Sequence, residues 1–190
     1  MRKFAMLIWI IIAVYVLLVI YIYAQSQYNR LIRLDQKVKE SWSQVENVLQ
    51  RRADLIPNLV AVVKGYAKHE RSLFIEVTEA RSSLLAARTV AEKEAASLRF
   101  ENVLSRLLVV VENYPQLRAS ENFLRLQDEL AGTENRIAVE RMRYNNAVGE
   151  YNRIAKSFPI KIIVRGFGFD AEKPYFQASK TSTAVPEVKF

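Results

Sequence analysis

The 190-residue sequence contains no cysteine, which excludes disulfides and thiol chemistry and leaves the redox compartment open. Its one histidine, His69, rules out a three-histidine metal site and a histidine relay. His69 sits in a charged helical stretch, "YAKHERS", where a surface histidine is the ordinary reading. Aspartate occurs only at 35, 54, 128 and 170. The glutamates are more numerous, but they alternate with Lys and Arg at helical spacings, as solvated faces do. The Glu-x-x-His pair of carboxylate-bundle metal sites is missing, because Tyr66 stands three positions before His69. "GFGFD" lacks both the spacing of a dinucleotide loop and its strand-to-helix setting. There is no P-loop, no GxSxG and no zinc spacing. These absences point away from an enzyme, and the expectation is no catalytic residue, no metal and no cofactor.

Positive charge is in excess, with a formal net charge of +8. Such an excess suits anionic lipid or nucleic acid. Here the basic residues are spread and interleaved with acids, which argues for simple solubility and against nucleic-acid binding.

Charge is wholly missing from Phe4 to Ala24, "FAMLIWIIIAVYVLLVIYIYA", which also lacks Gly and Pro. At ~1.5 Å per residue, its roughly 21 residues reach about 31 Å, close to the ~30 Å hydrocarbon core of a bilayer. Only a helix satisfies a single chain's backbone there. Phe4 and Trp9 lie in the first part of this anchor, and Tyr21 and Tyr23 stand near its end, as interfacial aromatics do. A cleaved signal peptide is the rival reading, but its apolar core would be about 7–15 residues with a clearer cleavage site than "YIYAQS". The pair Arg2 and Lys3 next to the span favours a cytoplasmic N-terminus, which places the helical domain on the non-cytoplasmic side. Arg30, Arg33, Lys37 and Lys39 weigh the other way.

Beyond the anchor, apolar residues recur at helical steps. A first stripe is Leu31, Leu34, Val38, Trp42, Val45 and Leu49. A second is Leu59, Val63, Tyr66, Leu73, Val77, Ala80 and Leu84, with one step of seven. A third is Phe100, Val103, Leu107 and Val111. The fourth runs Phe123, Leu126, Leu130, Ile137, Tyr144, Val148, Tyr151, Ala155 and Phe158. Narrow stripes with a near-heptad step predict bundle helices packed side by side. The breaks fall at "ARTVAEKEA" (87–95), at "NYPQLRASEN" (113–122), with Ser120 as a candidate N-cap, and at Phe158-Pro159.

"RRADLIPNLV" (51–60) is expected to be a further break. With Asp54 as N-cap, Pro57 falls in the first turn of a helix, where its missing N–H is no loss. Arg51 and Arg52 then face the negative end of the preceding helix. A kinked continuous rod is the rival. The resulting fold is all-α: a transmembrane helix (1–24), an antiparallel up-and-down four-helix bundle (25–158) and an irregular or short extended tail (159–190). In that arrangement the 51–57 turn and the 113–122 loop share the membrane-distal end. Arg51, Arg52, Asp54, Tyr114, Pro115 and Arg118 there become candidate partner contacts, with capping and turn chemistry as the ordinary alternative. In the tail, "PIKIIVRGFGFDAEKPYF" could pack on the protein, the more usual outcome. It could instead lie on the membrane surface through Ile160, Ile162, Ile163, Phe167 and Phe169, with Lys161 and Arg165 at the headgroups.

The run "YNRLIRLDQKVKESWSQVENVLQRRADLIPNLVAVVKGYAKHE" (28–70) resembles the signature region of the LemA family of bacterial membrane proteins. "RLLVVVENYPQLRASENFLRLQDELAGTENRIAVERMRYNNAVGEYN" (106–152) resembles its second half, and "SFP", "GFGF", "KPYF" and "VPEVKF" resemble its tail. The resemblance covers essentially the whole chain. It implies a single-span anchor in the cell membrane, an antiparallel helical domain, and a helix boundary at "RRADLIPNLV". It supplies no catalytic site, because the family has no established enzymatic role. Some relatives in magnetotactic bacteria are associated with forming magnetosome membranes, which makes membrane organisation a plausible class of function.

The expectation is a non-enzymatic scaffold, with membrane lipid, further copies of itself and another membrane protein as partners. An adaptor or regulator of a membrane protease or envelope-stress system is the alternative.

Overall fold

The computed structural model describes residues 2–67 and 69–177. It is all-α, with no strand among the described residues. Six helices follow in order: α1 (Arg2–Tyr66), α2 (Arg71–Ala86), α3 (Val90–Val111), α4 (Pro115–Arg118), α5 (Glu121–Ala155) and α6 (Ile160–Gly166).

The expected turn at 51–57 does not exist. Helix α1 continues through Pro57, and Asp54 lies inside it rather than capping a new helix. Two physical reasons account for this. First, the apolar stripe does not stop at Leu49: Ala53, Ile56, Val60 and Val63 are all buried and extend it in steps of four, three, four and three. Second, Pro57 lacks the N–H that would bond the Ala53 carbonyl. That orphaned acceptor is satisfied from outside the helix, by Arg81 Nε of α2 at 2.8 Å. Helix α1 instead ends at Tyr66 and α2 begins at Arg71, inside the seven-residue step between Tyr66 and Leu73. The helix count built on a turn at 51–57, and the membrane-distal tip drawn from it, are therefore corrected.

Other boundaries lie closer to expectation. Thr89 caps α3 through a capping box, accepting from the Glu92 N–H while Glu92 accepts from the Thr89 N–H. Pro115 opens α4, where a missing N–H costs nothing. Helix α5 starts at Glu121, directly after Ser120, and ends at Ala155, three residues before Phe158. Most residues of the four stripes are buried, but Tyr66 and Phe158 are exposed. The tail is less irregular than expected, because Ile160 and Val164, four apart, bury one side of α6. Residues 172–177 carry no regular structure, and 178–190 lie outside the described residues.

Two compact units divide the chain. One joins Met1–Glu40 to Asn146–Lys173, and the other joins Ser41–Asn145 to the segment from Pro174 onward. In the second unit, neighbouring helical segments run antiparallel. Lys64 meets Phe74 and Asp54 meets Arg81 between α1 and α2. Glu76 meets Arg106 and Glu79 meets Arg99 between α2 and α3. Trp42 meets Tyr144 and Arg52 meets Glu134 between α1 and α5.

Candidate functional site

The apolar segment of α1 is the plainest functional feature. It is long and apolar enough to cross a membrane, with a mean hydropathy of 2.8, and none of that stretch is buried by the rest of the protein. Phe4, Trp9, Tyr21 and Tyr23 are all exposed. In a water-facing helix so large a continuous apolar surface would be unfavourable, so it calls for an apolar surrounding.

In the same unit, the chain after α6 is held to α1 and α5 by a clasp at Lys173. Its ammonium lies 2.8 Å from Asp35 and 2.5 Å from Asp170, and 5.4 Å from the centre of the Tyr151 ring. Asn152 grips the Lys173 main chain twice. Its Oδ1 accepts from the Lys173 N–H at 2.7 Å, and its Nδ2 donates to the Lys173 carbonyl at 2.9 Å. The Tyr151 hydroxyl donates to the Asp170 carbonyl at 2.8 Å. Burial by itself would raise the Asp35 carboxyl, but Lys173 and Lys39 together outweigh it and hold the group below its ordinary range. Burial likewise opposes the charge on Lys173, and Asp170 and Asp35 overcome it, raising the ammonium well above the usual value. For Tyr151, burial raises the phenol, which stays a donor.

The second unit repeats the grip with another Tyr-Asn pair, seven residues earlier in "YNNAVGEYN". The Tyr144 hydroxyl donates to the Pro174 carbonyl at 2.8 Å. Asn145 accepts from the Phe176 N–H and donates to its carbonyl, both at 2.8 Å. The Phe176 ring is buried, with Arg141 4.5 Å above its centre and Trp42 beside it at 6.1 Å. These residues were not singled out from the sequence. The doubled Tyr-Asn at heptad spacing was the available signal, together with Asn152 on the buried side of an otherwise polar helix.

The second unit also encloses a charge cluster. Arg52 is only 8 % exposed. Its guanidinium is 2.5 Å from Glu134 and 3.6 Å from Glu101, and lies over the Phe100 ring. Arg141 reaches the same Glu101 at 3.5 Å. Arg52 Nε and Arg141 Nε are buried without a hydrogen-bond partner among the described residues, so the cluster is imperfectly satisfied. Lys93 is buried too and donates to the Leu84 carbonyl at 3.0 Å.

The six candidate partner residues are not gathered at one tip. Arg52 is turned inward to Glu101 and Glu134, and Asp54 bonds Gln50 and Arg81 on the surface of α1. Arg51 is exposed at mid-helix. Tyr114, Pro115 and Arg118 follow the end of α3, whose Val109 and Val110 share a groove with Glu70 and Leu73. The start of α2 and the end of α3 therefore lie together, well along the chain from residue 51.

Of the tail residues, Lys161, Arg165 and Phe167 are exposed, and Phe169 is half-buried with its ring edge on Tyr28. No group of three or more His, Asp or Glu side chains among the described residues is placed to hold a metal ion.

Comparison with known proteins places this architecture. The chain is similar to magnetosome protein MamQ 2 of Paramagnetospirillum magneticum, 25 % identical over 191 residues, spanning 85 % of this chain and 70 % of that protein. It is similar to magnetosome protein MamQ of Magnetospirillum gryphiswaldense at 24 % identity over 193 residues, with the same coverage of both chains. Protein LemA of Metamycoplasma hominis is 23 % identical over 163 residues, spanning 85 % of this chain and 69 % of that protein. The model of the LemA family matches residues 41–190, the greater part of the sequence, and the chain belongs to the LemA family.

Proposed function

We propose that this protein is a non-enzymatic, membrane-anchored scaffold: an antiparallel helical bundle on a single-span anchor that self-associates and organises or shapes the bilayer. The observation that carries this reading is the exposed, uncharged stretch 6–23, which belongs to the same unbroken helix as packed residues such as Leu31 and Val45. Energy is lost if that surface meets water and recovered if it meets lipid, at roughly 25 cal/mol per Å² of apolar area. Relatives named as magnetosome proteins support a role at a membrane.

The test is the native size of the detergent-extracted particle, with crosslinking in native membranes. Self-crosslinks and a closed multimer are expected. A monomer, or one dominant foreign protein in every crosslink, overturns the scaffold. Arg51→Glu with Arg118→Glu then asks whether the exposed basic residues of α1 and α4 take part. An unchanged complex size excludes them.

A further inference from the structure

We infer that α6 and its flanks form a second membrane contact, a foot that rests in the headgroup layer with its outer face on anionic lipid. The inference builds on the reading of Phe4–Ala24 as a membrane span.

The geometry lies within one unit. Helix α6 turns Ile160 and Val164 inward, where both are buried. Its other side leaves Ile162 in the open at 64 % exposure, and the residues before and after the helix, Phe158 at 84 % and Phe167 at 67 %, are also largely exposed. Ile162 is two positions from the buried Ile160, about 200° round the helix, and so lies opposite the packed face. Lys161 and Arg165 are exposed and lie together on one side of Ile162, where they line a groove with Lys156 and Glu172. An apolar centre bordered by cations matches an anionic lipid interface, where bases meet phosphate and apolar side chains enter the acyl boundary.

The foot is held at the correct depth. The Phe167 ring lies 5.1 Å from Tyr28 and the Phe169 ring 5.7 Å. Partial cover on α1 begins at Ala24, the last residue of the apolar run, and continues along one stripe through Gln27 and Tyr28 to the fully buried Leu31. Four residues separate Ala24 from Tyr28, about 6 Å of helix at ~1.5 Å each. The headgroup layer on either side of the hydrocarbon is roughly 5–7 Å thick. The exposed Phe167 ring therefore stands at headgroup level, where aromatic side chains favour the interface.

The absence of native cysteine makes the test clean. The full chain is reconstituted in vesicles of phosphatidylcholine with or without phosphatidylglycerol. An environment-sensitive fluorophore is placed singly at Ile162→Cys, at Val16→Cys in the anchor, and at Val109→Cys, an exposed position in the other unit. With a quencher on the lipid headgroup region, the probe at 162 is expected to be quenched several-fold more than the probe at 109. Adding Lys161→Glu and Arg165→Glu should weaken that quenching in the anionic vesicles.

A probe at 162 that stays as water-exposed as the one at 109 overturns the foot, and so does a blue-shifted probe that lipid quenchers cannot reach, which would mean a protein occupant. Equal quenching with and without the charge reversals overturns the anionic-headgroup assignment. The probe at 16 separates the two readings. If it too escapes lipid quenchers placed deep in the bilayer, the anchor itself is wrong, whereas a quenched probe at 16 beside a water-exposed one at 162 rejects the foot alone.

Discussion

Replacing Arg81 by alanine should destabilise the second unit because of a proline 24 positions earlier. Pro57 cannot donate to the Ala53 carbonyl, and Ala53 is fully buried. Arg81 Nε supplies the missing donor at 2.8 Å. A hydrogen bond from a charged donor contributes about 1.5–3 kcal/mol, and a buried acceptor left bare costs about 1–3 kcal/mol. Arg81 also approaches Asp54 at 3.4 Å, but the Asp54 side chain is about half exposed, and such a pair contributes less than ~1 kcal/mol. Arg81→Ala is therefore expected to lower the unfolding free energy by about 2–3 kcal/mol, and Asp54→Ala by less than ~1 kcal/mol.

The decisive experiment is the cycle with Pro57→Ala. Alanine at 57 restores an N–H to the Ala53 carbonyl, so in that background Arg81→Ala should cost only about 0.5–1 kcal/mol. The coupling is then about 1–2 kcal/mol. Trp42, packed on Tyr144, reports unfolding of this unit by fluorescence in urea, with Trp9→Phe removing the anchor's signal. Equal penalties for Arg81→Ala in the two backgrounds would refute the account of how α1 tolerates its proline.

Four further outcomes are expected. Asp35 is held low and Lys173 high, so their clasp stabilises fully between the ordinary values of 3.8 and 10.5. It weakens as pH falls through the depressed Asp35 value or rises through the raised Lys173 value, and Asp35→Asn should flatten the acid limb of a stability–pH curve. Arg51→Glu should change stability by no more than ~0.5 kcal/mol, whereas Arg52→Glu next to it should cost more than ~3 kcal/mol by setting a third carboxylate beside Glu101 and Glu134. Thr89→Ala should cost about 1 kcal/mol and speed amide exchange at Glu92. Asn152→Ala removes both bonds to the Lys173 main chain and should raise exchange at the Lys173 amide while leaving that at Phe176 close to wild type.

Periodicity made the helices legible, and local capping signals misled at one place. The stripes from Leu31 to Leu49 and from Phe100 to Val111 are buried as their spacing requires. The same periodicity ran on through Ala53, Ile56 and Val60, but Arg51, Arg52, Asp54 and Pro57 drew attention to local capping chemistry. Tertiary context overrode it: a donor from another helix removed the main objection to proline, and the cost of an interior proline is a prior that packing can offset. The true break was visible as the seven-residue step between Tyr66 and Leu73. The Lys173 clasp and the Arg52 cluster were not legible, because they join residues far apart in sequence, such as Asp35 with Lys173, and no local pattern encodes such a pairing. Arg52 read as a surface charge because charge is usually exposed, and Glu101 and Glu134 are what permit its burial.

The two Tyr-Asn pairs have a consequence for variation. The hydrogen bonds described above from these pairs to residues 170–176 end on a carbonyl oxygen or an amide N–H. Main-chain atoms are the same whatever the side chain, so this attachment is nearly blind to the identity of what it holds. Ala171 and Tyr175 are free to be exchanged without loosening the segment, as long as Lys173 keeps its two aspartates and Phe176 its buried ring. Such a segment could acquire new exposed side chains, and with them new contacts, while its path along the protein stays fixed.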